Sequence, residues 1–186
     1  MSADARREYR GLVVECVTGD ITRQGDLDAV TNAANAQLAP GGGVAGAIHR
    51  AAGPALYEAC KPLAPIGAGD AVITAAGNLP NRYVVHTLGP VYGSDRPEAE
   101  LLAACYRNSL ARAEETGVVS IGFPAVSTGI FGYPVREAAG VAMRAVRDAA
   151  DAGLSSVRLV RFVLFSSSDT QIHVAALRDT FAQSEP

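Results

Sequence analysis

The feature that most constrains this chain is an alternation. Short β-branched apolar runs are separated by longer Ala-rich stretches of helical period. Leu12–Val17, Ala29–Asn32, Ala71–Thr74, Tyr83–Leu88, Ser120–Phe123 and Arg158–Phe165 read as strands. Several are apolar throughout, as expected of strands covered on both faces. Between them, Val44–Ala52, Pro54–Ala64, Ala99–Glu115, Pro134–Ala152 and Thr170–Ala182 read as helices. Pro134 in a first turn and Gly153 just past a last turn bracket one of these helices, and Asp169 is placed to cap the last. Strands alternating with helices predict an α/β fold with a mostly parallel sheet between helical layers.

At 186 residues the chain fits one domain, residues 10–186, with residues 1–9 expected as a flexible tail. A net charge of −3 provides no basic field for nucleic acid. A phosphate-bearing ligand must therefore be captured by local geometry. Three separated cysteines (Cys16, Cys60 and Cys105) form no C-x-x-C pair, which suits buried thiols in a reducing compartment. The N-terminus has no apolar leader and no run reaches membrane-spanning length, so the expected location is the cytoplasm.

Three segments carry chemistry. Thr18-Gly19-Asp20-Ile21-Thr22 ends the first strand, where open α/β sheets hold their ligands. Asp20 there either accepts from an exocyclic amine or caps a turn. The second segment runs from Asn32-Ala33-Ala34-Asn35 through Pro40-Gly41-Gly42-Gly43-Val44 into a helix. From Ala29 to Ile48 it holds no Asp, Glu, Lys or Arg. A glycine-rich loop opening a helix offers unpaired N–H groups and the positive end of the helix dipole, an anion site. The third, Phe123 to Pro134, includes Ser127-Thr128-Gly129-Ile130-Phe131 and is equally free of charge. It also follows a strand and precedes a helix, so the two loops could clamp a pyrophosphate, with Phe131 packing on the ligand or gating it.

Other readings are weaker. Gly41, Gly43 and Gly46 satisfy G-x-G-x-x-G, but Thr74-Ala75-Ala76-Gly77 stands where a dinucleotide fold needs an acidic residue. His49, His86 and His173 lie on separate elements without metal spacing, and Ser127 lies in no nucleophile elbow. Cys105 reads as a buried helix residue.

Seven segments in order resemble the macrodomain family, and its MacroD-type branch in particular. They are Gly19-Asp20-Ile21-Thr22, Asn32-Ala33-Ala34-Asn35, Gly41-Gly42-Gly43-Val44, Ala47-Ile48-His49-Arg50-Ala51-Ala52-Gly53-Pro54, Val84-Val85-His86-Thr87-Leu88-Gly89-Pro90, Cys105-Tyr106-Arg107-Asn108-Ser109-Leu110 and Ser127-Thr128-Gly129-Ile130-Phe131-Gly132-Tyr133-Pro134. The resemblance implies a three-layer α/β/α sandwich around a mixed six-stranded sheet that binds ADP-ribose without a cofactor or metal. It implies that Asp20 accepts from the adenine amine with help from the Ile21 amide, and that Phe165 stacks on the base. The loop residues Gly42, Gly43, Val44, Ser127, Thr128, Gly129, Ile130 and Phe131 would contact the ligand, most through pyrophosphate-binding amides. Asn35 would hold the distal ribose beside Phe131, and Asn35, Gly129 and Phe131 would serve catalysis. The implied partners are ADP-ribose and mono-ADP-ribosylated proteins, with no nucleic acid or membrane, and nothing demands more than a monomer.

One position departs from the family pattern. MacroD-type hydrolases carry an Asp directly after Gly-Gly-Gly-Val, and here that residue is Ala45. The resulting expectation is hydrolysis of mono-ADP-ribosyl esters by a substrate-assisted, Asp-independent water attack, possible O-acetyl-ADP-ribose hydrolysis included. The alternative is a non-catalytic reader of ADP-ribose.

Overall fold

A computed structural model describes residues 5–182. Seven strands form one mixed sheet, β1 (Arg6–Tyr9), β2 (Leu12–Thr18), β3 (Ala29–Ala33), β4 (Ala71–Ala75), β5 (Tyr83–Thr87), β6 (Ser120–Phe123) and β7 (Leu159–Leu164), in the order β1-β2-β7-β6-β3-β5-β4. The five inner strands are parallel, and β1 and β4 pair antiparallel at the two edges. The helices are α1 (Gly43–Ala52), α2 (Pro54–Cys60), α3 (Glu98–Glu115), α4 (Val135–Ala152) and α5 (Ser167–Thr180).

Successive strand residues point to opposite faces, so each strand feeds two cores. Val85, Phe162 and Leu164 join Leu102, Met143 and Leu177 in the core under α3, α4 and α5. Val84 and Val163, their sequence neighbours, join Ile48, Leu56 and Cys60 under α1 and α2. This is the α/β/α sandwich expected from the unbroken apolar runs. The cysteines are buried and free, and burial raises the Cys16 thiol to about 12 and the Cys60 thiol to about 11. Among the described residues no helix is long and apolar enough to cross a membrane.

The sheet has one strand more than expected, because residues 6–9 of the expected tail pair with β2 from Arg6↔Glu15 to Tyr9↔Leu12. Residues 1–4 of that tail lie outside the described residues. The extra strand is an edge strand of three charged residues and a tyrosine, Arg6-Arg7-Glu8-Tyr9, so it lacks the apolar run that betrays a buried one. Tyr9 fastens it, packing edge-on against Phe181 at 5.5 Å and donating to Asp151 Oδ1 at 2.8 Å.

Two helix ends differ by three residues or more, and the others by at most two. α2 stops at Cys60 and a short 3-10 turn covers Lys61–Leu63, because Pro62 cannot donate to a continued α-helical ladder. α5 begins three residues earlier than expected. Its cap is Ser166, not Asp169: the Ser166 hydroxyl accepts from the Asp169 amide at 3.1 Å, which puts Asp169 inside the first turn.

Candidate functional site

The parallel strands β2, β7, β6 and β3 end on one edge, in that spatial order, so their outgoing loops line up along it. The loop after β2 holds Asp20 and Ile21, and that after β7 holds Phe165. Those two are joined where the Gly19 amide donates to the Leu164 carbonyl at 2.9 Å. The loop after β6 holds residues 127–131, and that after β3 holds Asn35 and residues 42–44. These two are neighbours because β6 pairs with β3. An elongated ligand laid along the edge meets Asp20 and Phe165 at one end and Asn35 at the other.

Asp20 both caps a turn and keeps an oxygen to spare. Its Oδ1 accepts from the Thr22 amide at 2.8 Å and the Thr22 hydroxyl at 2.7 Å, capping the 3-10 turn Ile21–Arg23. The Thr22 hydroxyl, then its amide, hold the carboxyl below the usual carboxylate range. Among the described residues the second oxygen has only Arg23 Nε, at 3.8 Å. Ile21 is buried, which pins the turn to the sheet. Phe165 is 94% exposed, an open face for a planar group.

The other end is built from backbone. α1 starts on Gly42 with no side-chain cap and no acidic residue in its first turn. Among the described residues the amides of Gly43 and Val44 therefore have no protein acceptor. Gly43, at φ 54°, adopts a left-handed conformation that a side chain would strain. Gly46 lets the helix pack onto its own loop, since a Cβ there would overlap the Gly41 carbonyl oxygen.

The loop after β6 closes on itself and leaves its middle free. The Tyr133 amide donates to the Ser127 carbonyl at 2.9 Å, Gly132 donates to Gly129 at 3.0 Å and the Thr128 hydroxyl donates to Ala125 at 2.9 Å. Among the described residues the amides of Gly129, Ile130 and Phe131 have no protein acceptor. Ser127 sits at φ 67°, sparsely allowed for a non-glycine residue, with its hydroxyl buried and unpartnered. Ile130 is 99% exposed, Phe131 is half-buried, and the Tyr92 amide braces the loop by donating to the Phe131 carbonyl at 2.9 Å.

Asn35 organises its own loop. Its side-chain amide donates to the Ala39 carbonyl at 2.8 Å and its side-chain oxygen accepts from the Ala39 amide at 3.0 Å. One N–H and one lone pair remain for a ligand. Ala45 is buried, with its methyl toward Gly41. It brings no acid or base to this end.

Sequence reasoning missed what lies beneath. His86 is fully buried and bonded at 3.1 Å to Asn32 Nδ2 and at 2.9 Å to Thr74 Oγ1. Burial, with a smaller contribution from His49, pushes its pKa down to about 3, so it stays neutral. The only sequence signal was a polar Asn32 and His86 inside otherwise apolar strands.

Known proteins are similar to this chain in sequence and in fold. A family model described as Macro domain matches residues 31–142, more than half of the chain. O-acetyl-ADP-ribose deacetylase of Salmonella typhimurium is 54% identical over 140 residues, covering 73% of this chain and 78% of that enzyme. A macrodomain of Oceanobacillus iheyensis, solved with ADP, matches with a TM-score of 0.88 at 38% identity, over 94% of each chain. A Trypanosoma brucei macrodomain in complex with ADP-ribose matches with a TM-score of 0.82 at 36% identity, over 88% of this chain and 68% of the other.

Proposed function

The chain belongs to the macro domain family, and on that premise we propose that it binds ADP-ribose and hydrolyses esters formed on the distal ribose. One observation carries the reading: two charge-free loops on adjacent strands present unpaired backbone amides at one sheet edge. Such amides suit a diphosphate, whose charge they meet without a competing side chain. Phe165 and the spare oxygen of Asp20 then receive the adenine, and Asn35 the distal ribose. Relatives named O-acetyl-ADP-ribose deacetylase and a relative holding ADP-ribose support both halves of the proposal.

The substrates are ADP-ribose esters of a carboxylic acid: a glutamate or aspartate side chain of a protein, or acetate. Water adds across the ester, leaving a free carboxylic acid and ADP-ribose with its hydroxyl restored. Ala45 cannot take the proton from water. A water held between the α-phosphate of the ligand and the loop amides gives it to that phosphate instead, and the proton passes on to the ribose oxygen as the acyl–oxygen bond breaks. Losing one general base costs about 10²–10⁴-fold in rate, which leaves positioning and electrostatics to supply the rest. Ala45 also favours a second reading, a module that binds ADP-ribosylated proteins without cleaving them.

Turnover separates the two. Purified protein is incubated with a protein mono-ADP-ribosylated on glutamate, and ADP-ribose release is followed against Gly129→Trp. A Cβ at Gly129 meets no atom within 4 Å, so a side chain can begin there without a clash at its first atom, and the bulk is introduced into the loop itself. Release that vanishes in Gly129→Trp and falls in Asn35→Ala supports the hydrolase. No release from protein that binds free ADP-ribose leaves the reader.

A further inference from the structure

One helical turn along α1 from Ala45, about 6 Å further, a pocket of about 350 Å³ opens between the glycine loop and α2. Pro40, His49, Arg50, Pro54, Tyr57 and Glu58 line it. It lies beyond the Asn35 end of the edge, because Pro40 directly follows the Ala39 that Asn35 clasps. Of the two diphosphate loops only Pro40 contributes to its walls, and the glycines that follow it and residues 127–131 do not.

Two of its side chains lack polar partners among the described residues. His49 is 6% exposed, and neither ring nitrogen has a hydrogen-bond partner. Burial lowers its pKa, so the neutral ring offers one N–H donor and one acceptor. A buried polar group without a partner costs free energy, so a ligand that supplies the partner gains by binding. Arg50 enters none of the ion pairs among the described residues, and its Nη1 lies over Gly46, beside the loop. The other charged wall residue, Glu58, is already paired with Lys61 at 2.6 Å. The free charge of the pocket is therefore the Arg50 guanidinium. Its apolar wall is Pro40, Pro54 and the Tyr57 ring, which His49 meets edge-on with centroids 6.2 Å apart.

We propose that this pocket is the acyl site, which takes the carboxyl component of the ester: the acidic residue of an ADP-ribosylated protein and the chain beside it. The inference rests on the hydrolase reading above. The guanidinium of Arg50 and the N–H of His49 donate to a peptide carbonyl of the chain beside the modified residue. The proline and tyrosine surfaces cover the methylenes of the acidic side chain. Acetate has no chain to lay there, so the pocket distinguishes a protein ester from O-acetyl-ADP-ribose. Arg50 is exposed, which makes it the safe residue to change.

The test measures kcat and KM of the wild type, Arg50→Ala and Arg50→Glu on a glutamate-linked ADP-ribosyl peptide and on O-acetyl-ADP-ribose. The Kd for free ADP-ribose is measured alongside. Arg50→Ala should raise KM for the peptide about ten-fold, the order of one lost charge-assisted hydrogen bond. Arg50→Glu should raise it further. KM for O-acetyl-ADP-ribose and the Kd should stay within about two-fold, since those ligands do not reach Arg50. Turnover of the peptide by the wild type with an equal KM in Arg50→Ala would overturn the acyl site alone. Parallel changes for both substrates would overturn it too, by making Arg50 part of the common ligand site. No turnover of either substrate by the wild type would remove the hydrolase reading and the acyl site with it.

Discussion

α1 and α5 both begin at the same edge of the sheet, after parallel strands, yet their first turns are built for opposite purposes. α5 carries the Ser166 cap, whose hydroxyl accepts from the Asp169 amide, and an acidic Asp169 in its first turn. α1 begins on Gly42 with neither. A capped terminus has little left to offer an anion, and an uncapped one keeps its donors and its dipole for a ligand. The difference assigns the two ends of the edge. On the proposed reading the diphosphate goes to α1 and the loop after β6, and the α5 end is left to present Phe165 as a flat surface.

Reversing the cap on α1 tests this most severely. In Gly42→Asp the new carboxylate would cap α1 and occupy the place of the ligand charge. Position 42 has room for it, with no atom within 4 Å of an added Cβ and an ordinary φ of −87°. ADP-ribose affinity should fall about 100-fold, the order of two charge-assisted hydrogen bonds. Thermal stability should hold or rise, by up to about 1 kcal/mol. Calorimetric titration and a melting curve on the same sample read both numbers.

At the other end the expected losses are smaller. Phe165→Ala should weaken ADP-ribose about ten-fold, since stacking on an aromatic ring contributes about 1–3 kcal/mol per base. Its melting temperature should not fall, because the ring packs on little of the protein. Ser166→Ala inverts the pattern of Gly42→Asp: removing the cap should cost about 1 kcal/mol of stability and change ADP-ribose affinity less than two-fold. A large affinity loss there would mean that α5 also holds the diphosphate.

The smallest expected effect is one of pH. Asp20 is held below the usual carboxylate range by Thr22, so it remains an acceptor well into acid. For a carboxylate with a lowered pKa the charged form is lost only as pH falls through that lowered value. Affinity titrated from pH 8 down to about 5 should therefore be flat in its Asp20-dependent part, weakening only below the ordinary range near 4. A decline already at pH 6 would assign the adenine acceptor to another group.

Much of this comparison was legible in the sequence. The charge-free stretches 29–48 and 123–134 and their place after strands marked both loops before any geometry was known. The helix caps were less so. Ser166 and Asp169 are both good capping residues, and only the backbone shows that Ser166 is extended at φ −117° while Asp169 lies within the helix. The first strand was hidden because its residues are charged and its partners, Asp151 and Phe181, lie at the far end of the chain. His49 and Arg50 stood in plain view within a family-like segment. Their meeting with Tyr57 depends on how α2 turns back at Gly53, which no local pattern specifies.

The central claim is that backbone amides at the uncapped edge hold a diphosphate. Titrating the protein in parallel with ADP and adenosine, under one salt concentration, tests it most directly. ADP should bind about 100-fold more tightly than adenosine or better, because only ADP reaches the amides of α1 and of the loop after β6. Equal affinities would contradict the account and leave the two loops without the ligand they were assigned.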